Sequence, residues 1–274
     1  MKTALPGAAL LAMTLAACAT APATGPTEIA DPYEGFNRKM FAFNNGLDKY
    51  ALSPAATAYK TVTPEFARDR VADFFSNLKN PVIFANDVLQ GEGNRAGTTF
   101  ARFGINTTVG VLGLWDAASH MGIDGHREDF GQTLAVWGVE SGPYLVMPFL
   151  GPTTPRDLVG FGVDRAIDPL SYVQYDDDWD TDLAIRGGMN VVNGLNIRVR
   201  FDDQIDALNA QPEPYIALRR IYSSSRQAEI LNGKVDEATA YDDLPDFDAF
   251  DDYDDEVQEN EEGVGAAPEE GVSQ

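Results

Sequence analysis

Five residues near the middle of the chain have the types, though not the spacing, of a metal site. Two histidines accompanied by carboxylates can hold zinc or iron. The spacing of this group matches no standard metal-binding motif, and the surrounding sequence is typical of a polar loop. We therefore predict capping and ion-pair roles, and no bound metal, for His120, Asp124, His126, Glu128 and Asp129.

A second acidic group imitates the start of a calcium-binding loop, with alternating aspartates at Asp176, Asp178, Asp180 and Asp182. Such a loop needs glycine at its sharp turn and a bidentate glutamate at its last position. Thr181 and Gly187 occupy these two positions instead. We predict solvated acids that precede a helix, where negative charge is favourable.

The motifs for catalysis and nucleotide binding are incomplete. Segment 138–142 carries a serine between two glycines, but one position too late for the Gly-x-Ser-x-Gly elbow of hydrolases. Segment 91–97 is one residue too long for a dinucleotide fingerprint and follows a predicted helix instead of a strand. We predict a protein that is not an enzyme and has no cofactor.

The single cysteine, Cys18, is the one residue with a clear chemical role. It follows an apolar run that starts after Lys2 and is too short to span a bilayer, as in a secretory signal. Leu15-Ala16-Ala17-Cys18 resembles a bacterial lipobox, in which the cysteine is acylated after cleavage. The alternative is an ordinary secretory signal, which would leave a free thiol in an oxidising compartment. We predict lipidation at Cys18 and, since Ala19 is not aspartate, the outer membrane.

The two ends of the chain have the composition of disordered segments. Residues 18–30 are rich in Ala, Thr and Pro and predict a flexible tether. The net charge is −23, and fourteen acidic residues without a Lys or Arg follow Tyr241, so residues 236–274 predict a solvated acidic tail. Such charge repels phosphate backbones and excludes nucleic acid as a partner.

Apolar periodicity in residues 31–235 predicts a mainly α-helical domain. Thr63-Pro64-Glu65 is a helix start, and Asn80-Pro81 predicts a break. Further helices are predicted over 95–106, over 129–137, from Thr154, over 182–208 with a weak point at Gly187-Gly188, and from Pro212 to Leu231. Residues 142–149 predict a loop or brief strand.

The most unusual stretch runs from Phe103 to Trp115, where glycines alternate with large apolar residues and no charge intervenes. Periodicity alone favours a tightly packed buried segment. The alternative is a helix apolar on all sides that packs closely through its glycines at membrane depth, with Trp115 at the boundary.

Several ordered motifs over residues 31–230 resemble the MlaA (VacJ) family of outer-membrane lipoproteins. They are Asp31-Pro32-Tyr33-Glu34-Gly35-Phe36-Asn37-Arg38, Asn77-Leu78-Lys79-Asn80-Pro81, Arg102-Phe103-Gly104-Ile105-Asn106-Thr107, Asp129-Phe130-Gly131-Gln132-Thr133-Leu134, Gly142-Pro143-Tyr144, Gly151-Pro152, Arg156-Asp157 and Pro214-Tyr215.

The resemblance implies a single compact, ring-like helical domain embedded in one leaflet of the outer membrane, facing the periplasm. It implies extraction of mislocalised phospholipids from the outer leaflet and their transfer to a periplasmic carrier, with trimeric porins as partners. Lipid-path candidates are then Phe103, Gly104, Val109, Gly110, Val111, Leu112, Gly113, Leu114 and Trp115. Arg102 and Arg156 are candidate headgroup contacts, although structural ion pairs are an equal alternative.

Two other functions stay open from the sequence. A lipoprotein that only braces porins or the envelope accounts for the lipobox and for the lack of a reaction site. A lipid-cleaving or metal-dependent enzyme would have to use the cluster between His120 and Asp129, which has no recognised motif.

Overall fold

The computed structural model describes residues 28–232. The signal segment, Cys18, most of the tether and the acidic tail lie outside this range, so the predictions for them are not addressed by the structure.

The fold is mainly α-helical, as the periodicity predicted. The helices are α1 (Glu34–Leu47), α2 (Ser53–Val62), α3 (Glu65–Leu89), α4 (Gly93–Thr108), α5 (Ala117–His120), α6 (Phe130–Val136), α7 (Pro155–Ile167), α8 (Trp179–Arg200), α9 (Asp202–Ala210) and α10 (Pro214–Ile230). A π-helical turn, Asp48–Leu52, joins α1 to α2, and a 3-10 turn, Pro169–Tyr172, follows α7. No helix within residues 28–232 combines the length and the hydrophobicity of a bilayer-spanning segment.

Side-chain caps explain where several helices begin. The Asp129 carboxylate accepts a hydrogen bond from the backbone N–H of Gln132 at the start of α6, and Thr154 caps α7 in the same way. Asp178 caps α8. Each capping side chain binds a backbone N–H only three residues later in the chain. The local sequence is therefore enough to predict these helix starts.

Two predicted interruptions are absent. Helix α3 continues through Pro81, because its flank packs along α4. Tertiary contact of this kind outweighs the one backbone hydrogen bond that a proline removes. Helix α8 likewise runs through Gly187-Gly188 and ends only at Arg200.

The sheet formed by the described residues is a two-stranded hairpin. β1 (Leu145–Met147) pairs antiparallel with β2 (Gly151–Thr153), with Val146 opposite Pro152. The Asn37 side chain of α1 bridges to β1: its amide donates to the Tyr144 carbonyl at 2.9 Å, and its Oδ1 accepts from Val146 N. A small apolar cluster of Tyr144, Val146 and Tyr215 lies beside this junction.

Candidate functional site

The distribution of polarity in this domain is the reverse of that in a water-soluble protein. Within residues 28–232, nineteen polar or charged side chains are buried, against seven apolar ones. In soluble proteins the buried set is predominantly apolar, and buried polar groups are the exception. The interior therefore consists largely of a hydrogen-bonded polar network.

The outer surface carries the apolar side chains that the interior lacks. Thirty-six large apolar residues in the same range are exposed; Val62 is 78% and Phe66 72% accessible. Exposed apolar surface on this scale marks contact with lipid or with another protein. Helices whose backbone hydrogen bonds are internally satisfied can present such faces to hydrocarbon.

The glycine-rich stretch is helical as far as Thr108 and then forms a loop, so neither structural prediction describes its C-terminal half. Helix α4 ends at Thr108, and Val111, Leu112 and Gly113 then adopt positive φ angles of 52°, 58° and 85°. The close approach that we assigned to packing between helices occurs instead within this loop, at Gly110, and between the loop and α3, at Gly113. A Cβ on Gly113 would lie 2.5 Å from the Asn77 Cβ, and one on Gly110 would lie 2.1 Å from the Trp115 carbonyl oxygen.

This backbone conformation projects apolar side chains outward. Val111 and Leu112 are 64% and 67% exposed, so the stretch is not a buried core segment. Left-handed φ is unfavourable for a β-branched residue such as Val111 and persists only where surrounding contacts impose it. Of the other lipid-path candidates, Phe103 is half-buried on α4, while Gly104, Val109, Leu114 and Trp115 are exposed.

Gly113→Ala should destabilise the domain by about 2 kcal/mol or more, because it combines left-handed strain with a clash against Asn77. Gly104→Ala is the matched control, since a Cβ there meets open space on α4 and should be neutral or stabilising by up to about 1 kcal/mol. Denaturant unfolding in detergent measures both variants. Equal stability of the two variants would contradict the loop geometry.

One lipid-path candidate lines an apolar cleft. Leu114 meets Val71, Phe74 and Phe75 of α3 on one side and Gly188, Met189 and Val192 of α8 on the other, around a cavity of about 220 Å³. No polar surface lines it. The helix start at Thr63-Pro64-Glu65 was predicted from the sequence, but the pairing of α3 with α8, more than 110 residues later, was not.

Arg102 is buried within a polar network of its own. Its guanidinium lies 2.9 Å from Asp116 Oδ2 and donates to Ser119 Oγ and to the Ile123 carbonyl. Burial raises the pKa of Asp116, but hydrogen bonds from Ser119, Asn106 and Arg102 together lower it to about 2. These contacts favour a structural ion pair for Arg102, and a headgroup contact stays an untested prediction.

The Asp116 carboxylate gives a defined pH dependence. Its folded pKa of about 2 lies below the usual 3.8, so its stabilising contribution is complete above pH 3.8 and is lost as the pH falls towards 2. Asp116→Asn should therefore lower the free energy of unfolding by about 1–2 kcal/mol at pH 5, with the difference shrinking near pH 2. The free energy of unfolding is measured between pH 2 and pH 5. Asp124→Asn is the control, because Asp124 is exposed. A deficit that does not vary with pH would contradict the ion pair.

Arg156 and Arg226 meet at Asp157. Arg156 Nε lies 3.2 Å from Asp157 Oδ1, while Arg226 binds both Asp157 at 2.9 Å and Asp129 at 2.6 Å. Burial raises the pKa values of the two carboxylates, but the hydrogen bonds and charge of Arg226 hold both below their usual range. Arg156 is thus ion-paired and buried, and its role at a headgroup also remains untested.

The predicted loop cluster is divided among different contacts. His126 Nε2 lies 2.8 Å from Asp87 Oδ1, and Glu128 binds Gln90 and Arg95 at 2.7 and 2.6 Å. His120 instead packs against the Trp115 ring, and Asp129 caps α6. Asp87, His126 and Glu128 lie close enough to share a cation, but Arg95 and Gln90 already satisfy Glu128, and Thr99 donates to Asp87.

Comparison with known proteins decides the family. The family model described as MlaA lipoprotein matches residues 29–229. This chain belongs to the MlaA lipoprotein family. An MlaA relative from Haemophilus influenzae, named an intermembrane phospholipid transport system lipoprotein, is 35% identical over 236 residues, covering 84% of this chain and 92% of the relative.

Other MlaA-family relatives agree with this assignment. The Escherichia coli K12 protein of the same name is 34% identical over 237 residues, covering 85% of this chain and 90% of its own length. A solved structure described as "Structural basis for maintenance of bacterial outer membrane lipid asymmetry" is 35% identical, has a TM-score of 0.64, and covers 73% of this chain and 99% of that chain. The predicted family and helical class are confirmed.

Proposed function

We propose that this protein takes phospholipids that have reached the outer leaflet of the outer membrane and passes them to a periplasmic carrier. The observation that carries the proposal is the reversed polarity: a polar interior, an apolar exterior and an apolar cleft between α3 and α8. A phospholipid likewise has a polar headgroup and apolar acyl chains, and these need polar and apolar surroundings respectively. The names of the MlaA relatives in H. influenzae and E. coli support the same activity.

In this proposal the cleft at Leu114 holds part of an acyl chain. The exposed loop side chains of Val111 and Leu112 lie beside it in sequence and extend the apolar surface. The polar network around Arg102, Asn106 and Asp116 gives the interior the polar groups that a headgroup needs as surroundings. Transfer makes and breaks no covalent bond, so the absence of a catalytic motif is expected.

Location and partners form part of the proposal. Acylation at Cys18 would anchor the chain at the periplasmic face of the outer membrane. The exposed apolar faces of α1 to α4 offer surface both to lipid and to a membrane-embedded partner such as a porin trimer. The acidic tail outside the described residues has no assigned role.

Deletion and complementation test the function. In a Gram-negative strain that encodes this protein, its loss should leave phospholipid on the outer surface, measurable with a membrane-impermeant amine-reactive probe. Re-expression of the wild type should restore the original level, and a Cys18→Ser variant that cannot be acylated should restore less. An outer leaflet unchanged by the deletion would refute the proposal.

A further inference from the structure

The α3–α8 cleft is lined by side chains that cannot donate a hydrogen bond. All seven lining residues are glycine, valine, leucine, phenylalanine or methionine, and no polar surface is exposed among them. The Met189 thioether comes nearest to a polar group, and a sulfur of this kind is only a weak acceptor. A group bound in the cleft therefore meets hydrocarbon and little else.

The backbone of the two cleft helices is also occupied. The lining residues of α3 and α8 lie well inside these helices, where each N–H and C=O is bonded within the helix. Leu114, the lining residue from the loop, donates its own N–H to the Val111 carbonyl at 3.3 Å. The cleft thus differs from a peptide-binding groove, which recognises an extended chain partly through main-chain hydrogen bonds.

Polar side chains follow the cleft at one end, but they bind each other's helices. Asn196 lies four residues after Val192 on α8, and its amide donates across to the Arg68 carbonyl of α3 at 2.9 Å. Asn196 is 1% exposed, and its Oδ1 has almost no accessible surface. The Asn196 side chain therefore offers neither a donor nor an acceptor to a group in the cleft.

The size of the cleft fits a stretch of one acyl chain. Its volume of about 220 Å³ equals that of about seven water molecules in the liquid, and a methylene group is of similar size. A methylene chain is stabilised by these walls, whereas a hydroxyl would leave water without finding a new partner. Burial of an unpaired hydroxyl weakens binding by about tenfold or more.

We propose that the cleft binds unsubstituted hydrocarbon and rejects acyl chains that carry a hydroxyl group. The inference rests on the proposed function, because it takes the cleft to be the acyl-chain site. It adds a selection among lipids that share one headgroup. Since the selection follows from the chemistry of the cleft wall, a single polar atom placed in that wall should weaken it.

Competition between lipids with the same headgroup tests the selection on the full-length protein. Each test lipid is a single-chain phosphatidylglycerol whose stearoyl chain carries one hydroxyl, at carbon 3, 8 or 13. It competes with the unsubstituted lipid, and native mass spectrometry separates the two bound forms by the mass of one oxygen. Because the positions are five carbons apart, at least one hydroxyl falls within any stretch of seven carbons. That lipid should bind about tenfold more weakly than the unsubstituted one.

Two neighbouring valines of α8 form a matched pair of variants. Val192 lines the cleft and Val191 does not, so Val192→Thr adds a hydroxyl to the wall and Val191→Thr adds one outside it. A helical threonine donates to the carbonyl four residues earlier, as Thr98 and Thr108 do, and its oxygen can still accept from a lipid hydroxyl. Val192→Thr should therefore reduce the discrimination about threefold, and Val191→Thr should leave it unchanged.

Three results would overturn the inference. Equal competition at all three hydroxyl positions, in a sample that binds phospholipid, would remove it and leave the proposed function intact. Discrimination that is unchanged both in Val192→Thr and in Gly188→Leu, whose new side chain fills the cleft, would assign the selection to another part of the protein. A sample that binds no phospholipid at all would remove both the inference and the proposed function.

Discussion

Substituting methionine for Arg226 should lower the free energy of unfolding by about 3–5 kcal/mol, the largest stability loss expected in this domain. Arg226 is only 8% exposed and neutralises the carboxylates of Asp129 and Asp157. Without it, Asp129 loses its cation, and Asp157, which is buried, keeps only its contact with Arg156. The Tyr222 hydroxyl, which donates to Asp157, cannot replace that charge.

Arg220→Met is the matched control, because it changes the same residue type on the same helix at an exposed position without an ion pair. Its effect should stay within about 0.5 kcal/mol. Adding Asp129→Asn to Arg226→Met should recover part of the loss, because one of the uncompensated charges is then removed. Similar unfolding midpoints for the two single variants in denaturant would contradict the assigned network.

Gly188→Leu should reduce phospholipid binding by at least about tenfold, because the new side chain enters the apolar cleft. Gly188 lines that cleft, and a Cβ at this position meets no atom within 4 Å, so the helix itself tolerates the change. Bound lipid per protein is measured by native mass spectrometry. Surface phospholipid in a complemented deletion strain should rise in parallel.

Gly187→Leu separates cleft filling from a general effect on α8. It adjoins Gly188, also has open space at its Cβ, and does not line the cleft. Both substitutions raise helix propensity by nearly the same amount. Loss of lipid binding in both variants, or in neither, would contradict the assignment of the cleft as the acyl-chain site.

Local signals in the sequence predicted most of the helical framework. Asp129 and Thr154 act on backbone groups within three residues, so the starts of α6 and α7 were correct. Pro81 was misleading because its effect depends on how α3 packs against α4. The loop at Val111–Gly113 was also missed, since two of its three left-handed residues are types that rarely adopt positive φ.

The candidate functional site is formed by contacts between residues that are far apart in the chain, and sequence spacing does not predict such contacts. Arg226 reaches Asp129 across 97 residues and Asp157 across 69, and the cleft joins α3 to α8. Composition shows that 44% of the residues are hydrophobic, but not that the large ones lie outside.

The most direct test of the account is the mass of the full-length protein, purified gently from membranes and measured before and after delipidation. The account predicts an acylated Cys18 and bound phospholipid that delipidation removes, with far less lipid on Gly188→Leu. An acylated protein that carries no phospholipid at any detergent strength would contradict lipid transfer and favour an envelope scaffold that braces porins.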